Sequence, residues 1–146
     1  MKDFFYMLFI GLSFFLVFTS NAFAHCEIPC GIYDDEMRIK MISEHIDTIE
    51  KSMKHILALE KKKKHNSNQL VRWIMNKEQH ANMLQEIVAQ YFMTQRIKAN
   101  TKNYDKKLGL LHQMLVITMK CKQTTDLSNV SKLRDLLKNF QSLYFA

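Results

Sequence analysis

From Asp34 to its C-terminus, the chain carries apolar residues every three or four positions and almost no residue that breaks a helix. The sequence of 146 residues contains three Gly and one Pro, and of these only Gly109 lies beyond Asp34. Apolar residues at steps of three and four form one face of an α-helix, whereas a strand would need steps of two. The pattern therefore predicts an all-α fold built around a single small core.

Short polar segments divide this pattern into four stripes, which together cover residues 35–146. The first predicts a helix from about Asp35 to Glu60, with acidic residues at its start and the lysines 61–64 at its end, as the helix dipole favours. The second ends near Lys98 and is interrupted by Lys77. The stripes consist of Ile39, Ile42, Ile46, Ile49, Met53 and Ile56; Leu70, Ile74, Ala81, Leu84, Val88 and Tyr91; Tyr104, Leu108, Leu111, Leu115 and Thr118; and Val130, Leu133, Leu137 and Phe140. Four amphipathic helices with short connections predict an antiparallel four-helix bundle.

The segment Met1–Ala24 has the layout of a secretory signal peptide. Lys2 precedes an apolar run over residues 4–18, and the segment ends in the small-residue pattern Ala22-Phe23-Ala24. A charged start, an apolar middle and an A-x-A exit are typical of a cleaved export signal, and the run is short for a membrane span. We expect cleavage after Ala24 and export to the periplasm or the extracellular space, with an uncleaved N-terminal anchor as the alternative.

The net charge leaves several kinds of binding partner open, whereas the number of cysteines is more informative. A formal net charge of +7 is compatible with binding to nucleic acid, to anionic lipid or to a small anion. The three cysteines, Cys26, Cys30 and Cys121, are an odd number. An exported protein with an odd number keeps at least one free thiol or uses its thiols for something other than a disulfide framework. The cysteines are therefore a first indication of a metal.

Cleavage after Ala24 would make His25 the N-terminal residue of the segment His25-Cys26-Glu27-Ile28-Pro29-Cys30-Gly31-Ile32-Tyr33-Asp34. A new α-amine has an ordinary pKa of about 8, so a metal can readily deprotonate it. The other donors are the His25 imidazole, the Cys26 amide nitrogen and the sulfurs of Cys26 and Cys30. The amine and amide chelate through one five-membered ring and the amide and sulfur of Cys26 through another, and Cys30 can complete a square.

A planar set of two nitrogens and two thiolates suits Ni(II) or Cu(II), whereas Zn prefers a tetrahedral arrangement. Copper is a competitor on geometry alone. Nickel is favoured because anionic thiolate and amidate donors stabilise Ni(III), and the His25 imidazole can join as an axial fifth ligand on oxidation. Pro29 stiffens the turn between the cysteines, and Gly31 permits backbone conformations that other residues avoid. Residues 25–34 therefore form a candidate metal-binding hook.

The motif H-C-x-x-P-C-G-x-Y at residues 25–33 resembles the hook of the nickel-containing superoxide dismutases. Other segments that resemble the family are Tyr33-Asp34, Arg38-Ile39, Lys77-Glu78-Gln79, Tyr91-Phe92 and Leu111-His112-Gln113. The resemblance implies one nickel ion per subunit, with Cys26 and Cys30 as equatorial ligands and His25 supplying the amine and the axial imidazole. It implies that His25 and Tyr33 are catalytic, with Tyr33 near the open face of the metal. It also implies a four-helix subunit, a homohexamer, superoxide as substrate, a signal or leader peptidase as processing partner, and no nucleic acid.

Two departures from the family leave details open. Lys40 and His80 stand where some members have a Glu and an Arg that orient the axial imidazole, so the partner of the His25 ring is undefined. The better-known members have a short non-secretory leader, so a cytoplasmic protein with a trimmed leader is the alternative to export. Cys121, on the third helix, is interpreted as a small core residue rather than a ligand.

The sequence thus predicts disproportionation of superoxide to oxygen and hydrogen peroxide by Ni(III)/Ni(II) cycling. The alternative function is an exported basic helical binding module with a Cys26–Cys30 disulfide. Positive charge near the hook would attract the superoxide anion. The nearest cations along the chain are Arg38 and Lys40, with Arg72 or Lys77 as candidates if the second helix packs beside the hook.

Overall fold

The structure is a computed structural model and describes residues 31–62 and 66–146. Over these ranges it is helical and has no strand, consistent with a helical bundle. The helices are α1, Asp35–Glu60, α2, Ser67–Glu86, α3, Tyr104–Gln123, and α4, Ser128–Tyr144. The last turn of α2 continues directly into a π-helical segment, Ile87–Arg96. The predicted signal peptide and the hook residues His25–Cys30 lie outside the described residues.

Helix α1 spans the residues that the apolar pattern predicts. Asp34 caps its N-terminus, because the Asp34 carboxylate accepts a hydrogen bond from the backbone nitrogen of Met37 at 2.9 Å. A carboxylate at this position satisfies one of the free N–H groups of the first turn. All six apolar residues of the predicted α1 stripe and all four of the α4 stripe are buried. The all-α prediction is confirmed for the described part of the chain.

The structure departs most clearly from the α2 pattern at Ile74 and Lys77, and Leu70 of the same stripe is only partly buried. Ile74 was predicted on the buried stripe but is 39% exposed. Lys77, predicted to interrupt that stripe, is only 4% exposed. Its Nζ donates to the carbonyl oxygen of Cys121 at 2.9 Å and to that of Lys122, and it pairs with Glu78 at 2.9 Å. Because the last carbonyls of a helix lack partners within it, this buried ammonium caps α3 and joins it to α2.

Aromatic side chains fill the core near the start of α1. Phe92 and Phe140 are fully buried, and their rings meet edge to face with centres 5.1 Å apart. Tyr144 packs against both rings. Edge-to-face contacts of this kind are favourable beyond the burial of apolar area. Met53 and Phe140, predicted on the apolar stripes, are fully buried, as are Phe92 and Met114.

Helix α1 packs antiparallel to the continuous helical stretch formed by α2 and the π-helical segment. The pairs in order along α1 are Asp35 with Tyr91, His45 with His80, Ser52 with Asn76 and His55 with Trp73. This pairing brings the end of the π-helical segment to the beginning of α1. Tyr144, at the end of α4, reaches the same place through Asp35. None of the helices in the described ranges is both long and apolar enough to cross a membrane.

Candidate functional site

Of the predicted site residues, the structure describes only Tyr33. The predicted ligands His25, Cys26 and Cys30 lie outside the described residues, so their roles stay predictions. The described chain begins at Gly31, whose φ of 77° lies in the left-handed region. Glycine reaches that region without the steric cost of a side chain. The sequence-based expectation that Gly31 supplies an unusual backbone conformation next to the cysteines agrees with this angle.

Two neighbours hold the Tyr33 ring. The guanidinium carbon of Arg96 lies 4.3 Å from the ring centre, in cation–π geometry. The ring of Tyr91 meets it edge to face, with centres 5.9 Å apart and planes at 70°. Tyr33 is nevertheless 38% exposed, and its hydroxyl makes no hydrogen bond to another described residue. The phenol is therefore held through its ring, while none of the described residues uses its hydroxyl.

Asp35 collects three side chains from distant parts of the sequence. The guanidinium of Arg96 donates to both carboxylate oxygens, with its Nε at 2.9 Å from Oδ1 and its Nη2 at 2.7 Å from Oδ2. The Tyr91 hydroxyl donates to Oδ1 at 2.6 Å, and the Tyr144 hydroxyl donates to Oδ2 at 2.8 Å. A bidentate pair between arginine and carboxylate is strong and fixes the plane of both groups. We call Asp35, Tyr91, Arg96 and Tyr144 the Asp35 cluster.

The protonation states of Asp35, Tyr91 and Tyr144 follow from their hydrogen bonds and burial. Burial alone would raise the pKa of Asp35, but hydrogen bonds from Arg96, Tyr91 and Tyr144 outweigh it, and the pKa is lowered. Burial, followed by the hydrogen bond to Asp35, raises the pKa of Tyr91 and brings that of Tyr144 to about 12. The carboxylate is therefore ionised while both phenols keep their protons and act as donors. Neither of these two phenols can readily give up a proton.

A second arginine near the tyrosines has no acidic partner in the described part of the chain. The guanidinium carbon of Arg38 lies 5.0 Å from the centre of the Tyr91 ring. Its Nε is buried without a hydrogen-bond partner, and its Nη1 contacts the sulfur of Met41 at 3.9 Å. The charge of Arg96 is balanced by Asp35, whereas that of Arg38 is not balanced by any ion pair with a described residue. Among the described residues, Arg38 is therefore a cation beside Tyr91 whose charge no ion pair balances.

His80, which stands where the resemblance places an arginine, is paired with His45 of α1. Their Nδ1 atoms lie 3.0 Å apart, so one ring donates to the other. Burial, and then the charge of His80, lowers the pKa of His45, which favours its neutral form. Lys40, where the resemblance places a glutamate, is exposed.

Beyond the hook, the described residues offer no competing metal site. In the ranges 31–62 and 66–146, no group of three His, Cys, Asp or Glu side chains could hold a metal ion. Cys121 is fully buried and unpaired, and burial raises the pKa of its thiol to about 11. A thiol kept protonated in an apolar site is a poor ligand. The interpretation of Cys121 as a core residue is confirmed.

Sequence reasoning missed the cluster around Tyr33. In the sequence, Asp35 looks like an ordinary acidic residue at the start of a helix. Arg96 and Tyr144 do not belong to any motif that the sequence analysis identifies. Arg96 and Tyr144 both bind Asp35, which lies 61 positions from the first and 109 positions from the second along the chain. Antiparallel pairing of the first two helical stretches would have placed Arg96 near Asp35, but it could not have shown which side chains meet.

Comparison with known proteins adds one finding. A family model described as nickel-containing superoxide dismutase matches residues 20–146. The matched region includes the H-C-x-x-P-C-G-x-Y motif and every described helix. No curated protein and no solved structure gave a significant match.

Proposed function

The chain belongs to the nickel-containing superoxide dismutase family, oxidoreductases that use nickel and act on superoxide, and on this basis we propose where its metal binds. The nickel ion is held by the amine and imidazole of His25, the amide nitrogen and thiolate of Cys26, and the thiolate of Cys30. This arrangement requires removal of Met1–Ala24, because the amine does not exist before cleavage. The proposal rests on one observation: the family match covers residues 20–146 and so includes the segment His25–Cys30, which contains all of these donors.

The donor set fits nickel. The two thiolates are soft donors, and together with the two nitrogens they would provide a set that Ni(II) accepts. The anionic donors would favour its oxidised state. When bound, nickel supplies the one-electron exchange between Ni(III) and Ni(II). Over one cycle, two superoxide anions and two protons yield one oxygen and one hydrogen peroxide. The alternative of a binding module with a Cys26–Cys30 disulfide accounts for the two sulfurs but not for the family match or for the place of His25 directly after the predicted cleavage point.

Tyr33 supplies a hydroxyl close in sequence to the ligands. It follows Cys30 by three residues, its ring is held by Arg96 and Tyr91, and its hydroxyl bonds no other described residue. We assign it two tasks, donating a hydrogen bond to the incoming anion and excluding anions larger than superoxide. Tyr91 is unsuited to the first task, since its hydroxyl is committed to Asp35.

The finer assembly is also a proposal. We propose that the described helices form an antiparallel four-helix bundle, that six such subunits make a homohexamer, and that a signal or leader peptidase removes residues 1–24. Exposed apolar side chains on α2, with Val71 52% and Met75 65% exposed, are compatible with a subunit contact. We place the protein outside the cytoplasm, with a trimmed cytoplasmic form as the alternative.

Mass spectrometry of the native protein tests the metal assignment directly. We expect a chain that begins at His25 and carries one nickel ion. Denatured and native spectra of one sample give the N-terminus and the metal together. Copper in place of nickel, or a chain that keeps residues before His25 while active, would contradict the proposal. A metal-free chain lacking two hydrogens at Cys26 and Cys30 would support the disulfide alternative.

Electrostatic attraction of superoxide predicts a dependence on salt. Lys77 is buried and paired with Glu78, so the suggestion that it steers the substrate is wrong. Lys40 is exposed on the first turns of α1. We expect Lys40→Glu to lower the second-order rate constant at low salt, because it reverses an exposed charge that follows Tyr33 by seven residues along the chain. The deficit should shrink as the screening length falls from about 30 Å at 0.01 M to about 10 Å at 0.1 M.

Lys61→Glu is the matched control for this prediction. It makes the same change in net charge at the exposed far end of α1. Pulse radiolysis at several ionic strengths gives the rate constant for the parent and both variants. The proposed attraction of superoxide would be contradicted if both variants lowered the rate constant equally, or if the parent rate constant did not change with salt. The net charge would then serve solubility only.

A further inference from the structure

We propose that Arg96 is the positioning residue for Tyr33 and that Asp35 aligns Arg96 for this task. The inference rests on the proposed role of Tyr33 in turnover and names what holds that side chain in place. Two observations carry it. The Arg96 guanidinium covers the Tyr33 ring at 4.3 Å, and the same guanidinium is gripped at two nitrogens by the Asp35 carboxylate.

The planar shape of the guanidinium lets it perform both contacts at once. Its edge, carrying Nε and Nη2, is used by Asp35, which leaves its face free to stack on an aromatic ring. Because the bidentate grip fixes the plane of the guanidinium, it also fixes where the Tyr33 ring can lie. The Arg96 side chain is 28% exposed and that of Asp35 is 16% exposed, so the pair is partly shielded from water. A simple surface ion pair would have no such geometric consequence.

The carboxylate is itself held in position from two other elements. Tyr91 donates to one of its oxygens and Tyr144 to the other, from the π-helical segment and from the end of α4. A carboxylate that accepts on both oxygens cannot rotate without losing these bonds. The orientation of Tyr33 is thus set by residues near the C-terminus of the chain as well as by its sequence neighbours.

The π-helical segment places Arg96 at the required point. Its wide turns use hydrogen bonds five residues apart, such as the one from the backbone nitrogen of Ile97 to the carbonyl of Phe92 at 2.9 Å. Ile97 then has an extended backbone, with φ of −93° and ψ of 101°, so the helical stretch ends directly after Arg96. Tyr91 and Arg96, five positions apart, both reach Asp35. In an α-helix residues five apart do not share a face, so the wider turn allows this convergence.

Three variants and a control test the inference. Arg96→Gln removes the cation from the ring. Asp35→Asn keeps one acceptor oxygen, which serves one of the two tyrosine hydroxyls, but loses the charge that holds Arg96. Asp35 itself makes no hydrogen bond to Tyr33 among the described residues. Arg96→Lys keeps the charge without the planar fork. The control, Arg134→Gln, removes another ion-paired arginine, whose partners are the carboxylates of Asp47 and Glu50 rather than that of Asp35.

The first readout is the ring resonance of Tyr33 in protein labelled with ¹³C-tyrosine, before nickel is added, and assigned with Tyr33→Phe. We expect Arg96→Gln and Asp35→Asn to shift this resonance in the same way, and Arg134→Gln to leave it unchanged. Arg96→Lys should restore it only in part. Combining Asp35→Asn with Arg96→Gln should add little to Arg96→Gln alone, since both act through one contact.

The second readout is the rate constant for superoxide in the nickel-loaded protein. Loss of one cation–π contact predicts about a two- to tenfold decrease for Arg96→Gln with unchanged nickel content. An unchanged Tyr33 resonance in Arg96→Gln, or an equal shift in Arg134→Gln, would overturn the inference. Absence of nickel and of activity from the parent protein would instead refute the proposed metal site, and the resonance measured without metal would still decide the positioning role.

Discussion

Replacing Cys26 or Cys30 by serine is expected to remove nickel-dependent activity almost completely. A neutral hydroxyl is a hard, weak donor, and it cannot supply the anionic sulfur that stabilises Ni(III). Changes in groups that merely support a ligand already cost about 10- to 100-fold in metal affinity or activity, so loss of a ligand itself should exceed about 100-fold. Superoxide consumption and nickel content of the purified variants measure the effect.

Cys121→Ser is the matched control, since it makes the same atomic change at the third cysteine. Cys121 is fully buried in the core, and a hydroxyl placed there without a partner costs about 1–3 kcal/mol of stability. We therefore expect a lower melting temperature with nickel content and most of the activity retained. The opposite pattern, with Cys121 essential and Cys26 and Cys30 dispensable, would move the metal site to α3 and refute the hook.

One extra residue ahead of His25 is expected to abolish activity while the helices stay folded. Extension converts the amine into an amide, which removes one chelating nitrogen and displaces the imidazole from the end of the chain. An amide nitrogen is much harder to deprotonate than an amine whose pKa is about 8. Circular dichroism should show unchanged helix content, because α1 is capped by Asp34 rather than by the hook.

Adding the same residue after Ala146, which is exposed, controls for the presence of an extra residue. This variant should keep both nickel and activity. The mass of each purified protein must show that the added residue is retained, since a peptidase could remove it. Full activity in a protein verified to carry the extra residue before His25 would exclude the amine as a ligand.

Local sequence was enough to predict the helices, and it was enough to propose the ligands of the hook. Helix α1 runs over the predicted residues because its apolar stripe, its cap and its end charges all lie within one continuous segment. The candidate ligands His25, Cys26 and Cys30 could be identified for the same reason. Chelate rings form between adjacent residues, so ligand identity depends on covalent spacing, and the family match at residues 20–146 agrees with the motif.

The tertiary structure alone decided what surrounds Tyr33 and what polar residues do inside the fold. Lys77 breaks an apolar pattern in sequence, yet it is buried because the free carbonyls at the end of α3 lie beside it. Asp35 is a helix-start residue in sequence, yet it holds Arg96 and Tyr144 from other elements. The spacing of apolar residues shows only which face of a helix is apolar and which is polar, because it depends on residue type and not on individual side-chain contacts. A polar contact depends on the distance and direction between individual atoms, which only the packing of helices distant in sequence determines.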